Sequence, residues 1–232
     1  HWNRVERGPR RREVTEKVLY PLFRLLPLRK RTIVFESFWG KSYSCSPRAI
    51  HEYMERNNMG YRYVWALNNE NTPVNGRAKP VRKHSWRYFY YLATAKYFVN
   101  NANFPDFYKK RKGAVEVHTL HGTPLKTMGL DTPEMAGSEA KRNQFLQRCR
   151  RWDYLLSPSR NVTDLAKQCF DYKKEVLEVG FPRNDLLKSH NEEGVMLEIK
   201  KRLGLPLQKK VMLYAPTWRV KQSFQLRLDI DK

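Results

Sequence analysis

The chain has 232 residues, enough for one large domain or one and a half. Hydrophobic residues at 41% and aromatics at 13% supply a packed core and exclude disorder over most of the length. A formal net charge of +22 attracts polyanions: nucleic acid, anionic lipid or a phosphate-rich polymer, among which charge alone does not choose.

Residues 1–31 hold ten Lys/Arg and three Glu, with Val14, Val18, Leu22, Leu25 and Leu26 at roughly helical spacing. This is a basic amphipathic segment, suited either to an anionic membrane surface or to packing on its own domain with a solvated basic face. The run VLYPLFRLLPL within it is too short to span a bilayer and carries Arg24, Pro21 and Pro27. From residue 32 the pattern alternates. Strands are expected at 32–35, 61–67, 96–100, 114–120, 153–157, 174–180 and 209–215. Helices are expected at 46–56 (Ser46 as N-cap, Pro47 in the first turn), 85–95, 137–151, 159–170 and 192–204. Such alternation predicts a parallel sheet covered by helices, with ligands outside the carboxyl ends of the strands. Leu203–Lys210, centred on Pro206, is the best candidate boundary.

Four polar turns follow strands: 36–48, 121–126, 157–160 and 180–185. They combine glycine, hydroxyl donors and helix N-termini with Lys41, Lys126, Arg160 and Arg183, an anion-binding rim at one edge of a sheet. His121 is the histidine in such a turn, beside Gly122 and Thr123. A neutral imidazole removes a proton from a hydroxyl near physiological pH; a strand-end histidine bonded to a carbonyl is the alternative. His118 and His121 have no third ligand at a metal-binding spacing, so no metal is expected. His51, in a helix with polar neighbours, reads as a surface residue. Cys45, Cys149 and Cys169 show no metal or redox spacing and read as reduced thiols. The aromatic stretch WRYFYYLATAKYF reads as core, not as a stacking platform for bases. No glycine-rich dinucleotide fingerprint and no P-loop occur.

The blocks FESFWGKSYSCSPRAIHEYM, LHGTPLKTMGLD, DYLLSPSR, GFPRNDLL and VMLYAPTWR, in that order over residues 32–219, resemble the bacterial teichoic-acid glycerophosphotransferases. These are the CDP-glycerol:poly(glycerophosphate) transferase family with its primase and ribitol-phosphate relatives. The resemblance implies an α/β, GT-B-like fold: one Rossmann-like parallel-sheet lobe with helices on both faces plus the start of a second lobe. The segments would be a basic amphipathic piece (1–31), the acceptor-side lobe (32–204) and the start of a nucleotide-binding lobe (205–232).

It also implies transfer of glycerol phosphate or ribitol phosphate from CDP-glycerol or CDP-ribitol to a lipid-linked anionic polymer, with CMP released. No cofactor is implied, and no nucleic-acid partner. Location would be peripheral, on the cytoplasmic face of the membrane; oligomeric state is left open. His121 resembles the family's base. Gly122, Thr123, Pro124 and Lys126 match the donor-side loop, and Arg183 a phosphate contact. Pro216 and Thr217 match the donor edge of the second lobe, and Ser37, Lys41 and Arg219 are further phosphate or acceptor contacts. Two departures stand out: Val220 where the family usually has an acidic residue, and a chain that stops at Lys232, early in the second lobe. The expectation is that these 232 residues do not turn over CDP-glycerol by themselves. The second reading is a non-catalytic, basic membrane-surface or polyanion-binding module lacking the donor site.

Overall fold

In the computed structural model, which describes residues 13–215, seven parallel strands form one sheet in the order β3-β2-β1-β4-β5-β6-β7. They are β1 (Arg29–Glu36), β2 (Arg62–Leu67), β3 (Lys79–Arg82), β4 (Ala95–Asn100), β5 (Val115–His118), β6 (Tyr154–Ser157) and β7 (Glu175–Glu178). The order reverses between β1 and β4, so their following loops run to opposite sides. In open parallel sheets that switch point is where ligands bind.

The central strands are buried on both faces, as a parallel sheet requires. Val34, Val64 and Ala66 face a cluster with Tyr88, Phe89 and Leu92 of the helix Trp86–Thr94. Ile33, Phe35, Tyr63 and Trp65 face the other way, toward Tyr43 and, from the helix Cys45–Arg56, Ile50 and Met54. Helices therefore cover both faces of an α/β sheet, the expected class. A third cluster joins Leu155 of β6 to Trp152, Val162, Ala166 and Phe170, packing the helix Arg160–Cys169 onto the far half of the sheet. The aromatic run 86–98 is part of the first core, with Tyr88, Phe89 and Phe98 at most 1% exposed.

Several expectations are corrected. Lys79–Arg82 is a strand although Pro80 breaks its pattern; it lies at the sheet edge beside β2, where a proline costs no ladder bond. The strand expected over 114–120 ends at His118, because Leu120 turns into the left-handed region at φ 52°. The helix expected from Ser46 starts at Cys45 with Ser44 as N-cap, and Ser46 is buried inside the first turn. His51 is not on the surface: it is fully buried, its Nδ1 lies 2.9 Å from the Tyr43 hydroxyl, and its ring contacts Phe35, Tyr63 and Trp65.

In the amino-terminal segment, Tyr20 is buried against Phe89 and Phe107, and Phe23 meets Tyr90 edge-on at 5.5 Å. The expected stripe of Val14, Val18, Leu22, Leu25 and Leu26 points outward instead, between 42% and 81% exposed. Both alternatives for this segment thus find residues, but different ones. No helix among the described residues is long and apolar enough to cross a membrane.

The chain divides into two compact units, one through Ser189 and one from His190 on. In the second, the helix Glu193–Arg202 is followed by irregular, bent chain that Lys200 holds, its Nζ donating to the carbonyls of Leu207 (3.0 Å) and Lys209 (2.8 Å). Residues 209–215 were expected as a strand and form none: Met212 and Leu213 are 89% and 86% exposed, with no ladder partner among the described residues. Pro216, Thr217, Arg219 and Val220 lie outside the described residues.

Candidate functional site

The site is built where β1, β4, β5 and β7 release their chains at the carboxyl edge. Asn100 ends β4, and in register with it His118 ends β5. That pairing sets the Asn100 Oδ1 2.9 Å from His118 Nδ1, while Asn100 Nδ2 donates to Glu116 at 3.2 Å. His118 stacks on Trp152 with centroids 3.8 Å apart and planes within 7°. This buried polar layer forms a floor. Burial pushes the Glu116 carboxyl up to about 7 and drives the His118 imidazole down to about 3, helped by the charges of His121 and Arg151.

Above the floor the chain turns at Leu120, which is buried, and delivers His121 to the exposed rim. His121 Nδ1 is 2.9 Å from the main-chain carbonyl of Asn101. A carbonyl only accepts, so Nδ1 carries the proton and, in the neutral ring, Nε2 keeps the lone pair. Both readings of this histidine therefore meet in one geometry: the bond to a carbonyl fixes the tautomer that a base needs. The Asn101 side chain, fully buried, accepts from the Phe38 N–H at 2.8 Å. The Phe38 ring then meets the imidazole edge-on at 5.7 Å. One asparagine so ties together the loops after β1, β4 and β5.

Arg183 arrives from the turn after β7. Its Nη1 donates to the His121 carbonyl at 2.9 Å and lies 3.7 Å from Cys45 Sγ; the guanidinium also sits over Phe181. A Cβ placed on Gly122 would be 3.7 Å from Arg183 Nη2, so the glycine and the arginine share one patch. Of the expected residues, the structure brings together His121, Gly122 and Arg183. Thr123 and Lys126 are exposed and Pro124 half-buried on the same loop. Lys41 lies over the Trp39 ring at 5.9 Å, in the loop that Phe38 anchors. Ser37 is a correction: it is fully buried and donates to the Ser44 carbonyl at 2.7 Å, so its hydroxyl braces the loop and does not face a ligand. Arg160, expected on the rim, is engaged by Asp164 at 3.2 Å and Glu178 at 3.9 Å.

Phe38, Cys45, Asn100 and Asn101 escaped the sequence reading. The polar pair closing the apolar strand KYFVN was an available signal; the others act through main-chain conformation. Phe38, Trp39, Cys45 and Leu120 all take positive φ, between 46° and 64°. Left-handed non-glycine residues of this kind cost about 1 kcal/mol or more each and gather at functional sites. Among the described residues no three His, Cys, Asp or Glu side chains are placed to hold a metal ion.

Known proteins share this architecture. The family model for CDP-Glycerol:Poly(glycerophosphate) glycerophosphotransferase matches residues 18–232. A teichoic acid poly(glycerol phosphate) polymerase of Bacillus spizizenii is 39% identical over 229 residues, 92% of this chain and 58% of that protein. A teichoic acid glycerol-phosphate transferase of Staphylococcus aureus is 34% identical, over 95% of this chain and 60% of its own length. The chain therefore spans only part of the relatives it matches. A solved structure of the wall teichoic acid polymerase TagF aligns with a TM-score of 0.85 at 37% identity, covering 93% of this chain and 54% of that one. A second TagF structure, soaked with CDPG, gives 0.86 at 37% identity, covering 93% and 55%. The sheet, its carboxyl-edge motifs and this extent of matched sequence together mean that the chain belongs to the CDP-glycerol:poly(glycerophosphate) glycerophosphotransferase family.

Proposed function

We propose that this chain forms the acceptor-side lobe of a CDP-alditol-dependent polyol-phosphate transferase of teichoic acid synthesis, with CDP-glycerol as donor. The acceptor is a lipid-linked anionic polymer ending in a hydroxyl. Its oxygen attacks the alditol-bearing phosphorus of the donor, the bond from that phosphorus to the CMP oxygen breaks, and CMP leaves. The hydroxyl proton passes to His121 Nε2. Phosphoryl transfer asks chiefly for alignment and charge neutralisation, so a positioned base and nearby cations suffice on this side. Arg183, bonded to the His121 carbonyl, and Lys126, farther along the same loop, supply positive charge on this rim, with Gly122, Thr123 and Pro124 shaping the donor-side loop. CDP-ribitol is the alternative donor within the same chemistry.

The observation that carries this reading is the exposed His121 ring whose Nδ1–H is spent on the Asn101 carbonyl. The test is His121→Ala in the full-length protein, assayed with CDP-glycerol and CDP-ribitol side by side. Transfer should fall about 10²–10⁴-fold, the usual contribution of a general base, with the circular dichroism spectrum unchanged. Undiminished transfer would remove His121 as the base; no transfer by the unsubstituted full-length protein would favour the second reading, a module that binds polyanions through its charge.

A further inference from the structure

At the amino ends of β1 and β2, the opposite edge of the sheet from His121, lies a wide-open surface cavity of about 520 Å³. Its wall carries Arg29, Lys30, Arg31 and Arg62, with Gly60 and Tyr61 beside them and no carboxylate. None of these four cations takes part in an ion pair among the described residues, whereas Arg48, Arg77, Lys83, Lys110 and Arg148 elsewhere each hold an acid. The four cations sit at adjoining strand ends: Thr32 of β1 pairs with Arg62 of β2, and Arg29 sits opposite Ala95 of β4. Arg29 is held in place, Nη1 donating to the Tyr90 hydroxyl at 2.8 Å, while its Nε is buried without an acceptor. Nothing lies within 4 Å of the point where a Cβ on Gly60 would stand, so the mouth is open there.

Like charges gathered without a counter-ion repel, and a buried donor without a partner loses the free energy of hydration. An anion in the groove relieves the repulsion. Guanidinium groups match the oxygens of a phosphate two at a time, and a flexible ammonium adds a point charge. We propose that this cavity is a binding site for a phosphodiester group, separate from the reaction edge. Two sources share that chemistry: a soluble glycerol phosphodiester and the headgroup of an anionic phospholipid.

The test uses the 232-residue chain at low salt and compares two doubly substituted variants. Arg31→Gln with Arg62→Gln removes two exposed cations of the wall; Lys141→Gln with Arg142→Gln removes two exposed cations of the helix Glu139–Arg151. Binding of glycerophosphoglycerol is followed by titration, and binding to phosphatidylglycerol vesicles by sedimentation, with phosphatidylcholine vesicles as control. The expected result is a loss of about tenfold or more in the wall variant, and a small, salt-screened loss in the helix variant. Selective loss with the soluble diester assigns the free ester as ligand; selective loss with vesicles alone assigns the headgroup. Equal loss in both variants, or no binding of either probe, overturns the site. His121→Ala leaves this binding unchanged, so failure here and failure of the catalytic reading are separate outcomes.

Discussion

Glu116 and His118 are buried neighbours on β5 whose protonation is set by burial in opposite directions. One Glu116 oxygen accepts from Asn100 and the other has no partner. Its folded-state value of about 7 lies above that of an unfolded carboxyl. Its contribution to stability is therefore complete below the unfolded carboxylate range and is lost as pH rises through about 7. His118 does the reverse: its contribution is complete above the ordinary imidazole value and is lost as pH falls toward about 3. Glu116→Gln keeps the shape and the neutral state while removing the carboxyl proton. Urea unfolding at pH 5 and pH 8 should show this variant gaining roughly 3 kcal/mol over the parent at the higher pH relative to the lower. An equal difference at both pH values would mean that the carboxyl ionises freely in the folded chain. The floor under His121 is thus neutral at physiological pH on the imidazole side.

The loop from Leu120 onward is fixed at its far end by Gly129. This residue has φ 55°, and a Cβ there would stand 2.2 Å from the Cys169 carbonyl, a main-chain atom that cannot move aside cheaply. Gly129→Ala should cost roughly 2–4 kcal/mol and lower the thermal midpoint, whereas Gly122→Ala, with only the Arg183 side chain at 3.7 Å, should leave the midpoint nearly unchanged. Comparable midpoints for the two variants would show that the loop is not pinned there. Such anchors explain what the sequence could and could not reveal. Strands with continuous apolar runs, such as YVWAL in β2, announce themselves, and so do helices with a serine cap such as Ser85 before Trp86. β3 hid behind Pro80 because edge strands tolerate what central ones do not. Residues 209–215 have a strand's composition, but a strand also needs a neighbour, and composition does not supply one. At the site, His121 was legible from its turn, since glycine and threonine beside an apolar run mark a strand end. Its partner was not: the Asn101 carbonyl is main chain, and any residue there would carry one. Ser37 looked like a phosphate donor, yet burial gave its hydroxyl to Ser44.

Across the whole molecule, a net charge of +22 is joined to an apolar stripe that packing leaves exposed. Tyr20 and Phe23 dock the amino-terminal segment on its own domain, which frees Val14, Val18, Leu22 and Leu25 for another surface. An anionic membrane face, the location expected from the sequence, is one surface that such a stripe could meet. Leu22→Ser with Leu25→Ser should weaken binding to phosphatidylglycerol vesicles by about tenfold or more, since each leucine loses roughly 1.5–3 kcal/mol of burial. Unaltered vesicle binding would leave charge as the whole attraction. At the opposite extreme from these surface terms, catalysis is proposed to rest on the position of a single proton. Long-range ¹H–¹⁵N NMR of the 232-residue chain reads the tautomer of His121 directly. The predicted spectrum has hydrogen on Nδ1 and a bare Nε2 once the ring is neutral. Hydrogen on Nε2 would contradict the bond to Asn101 and remove the lone pair on which the proposed transfer depends.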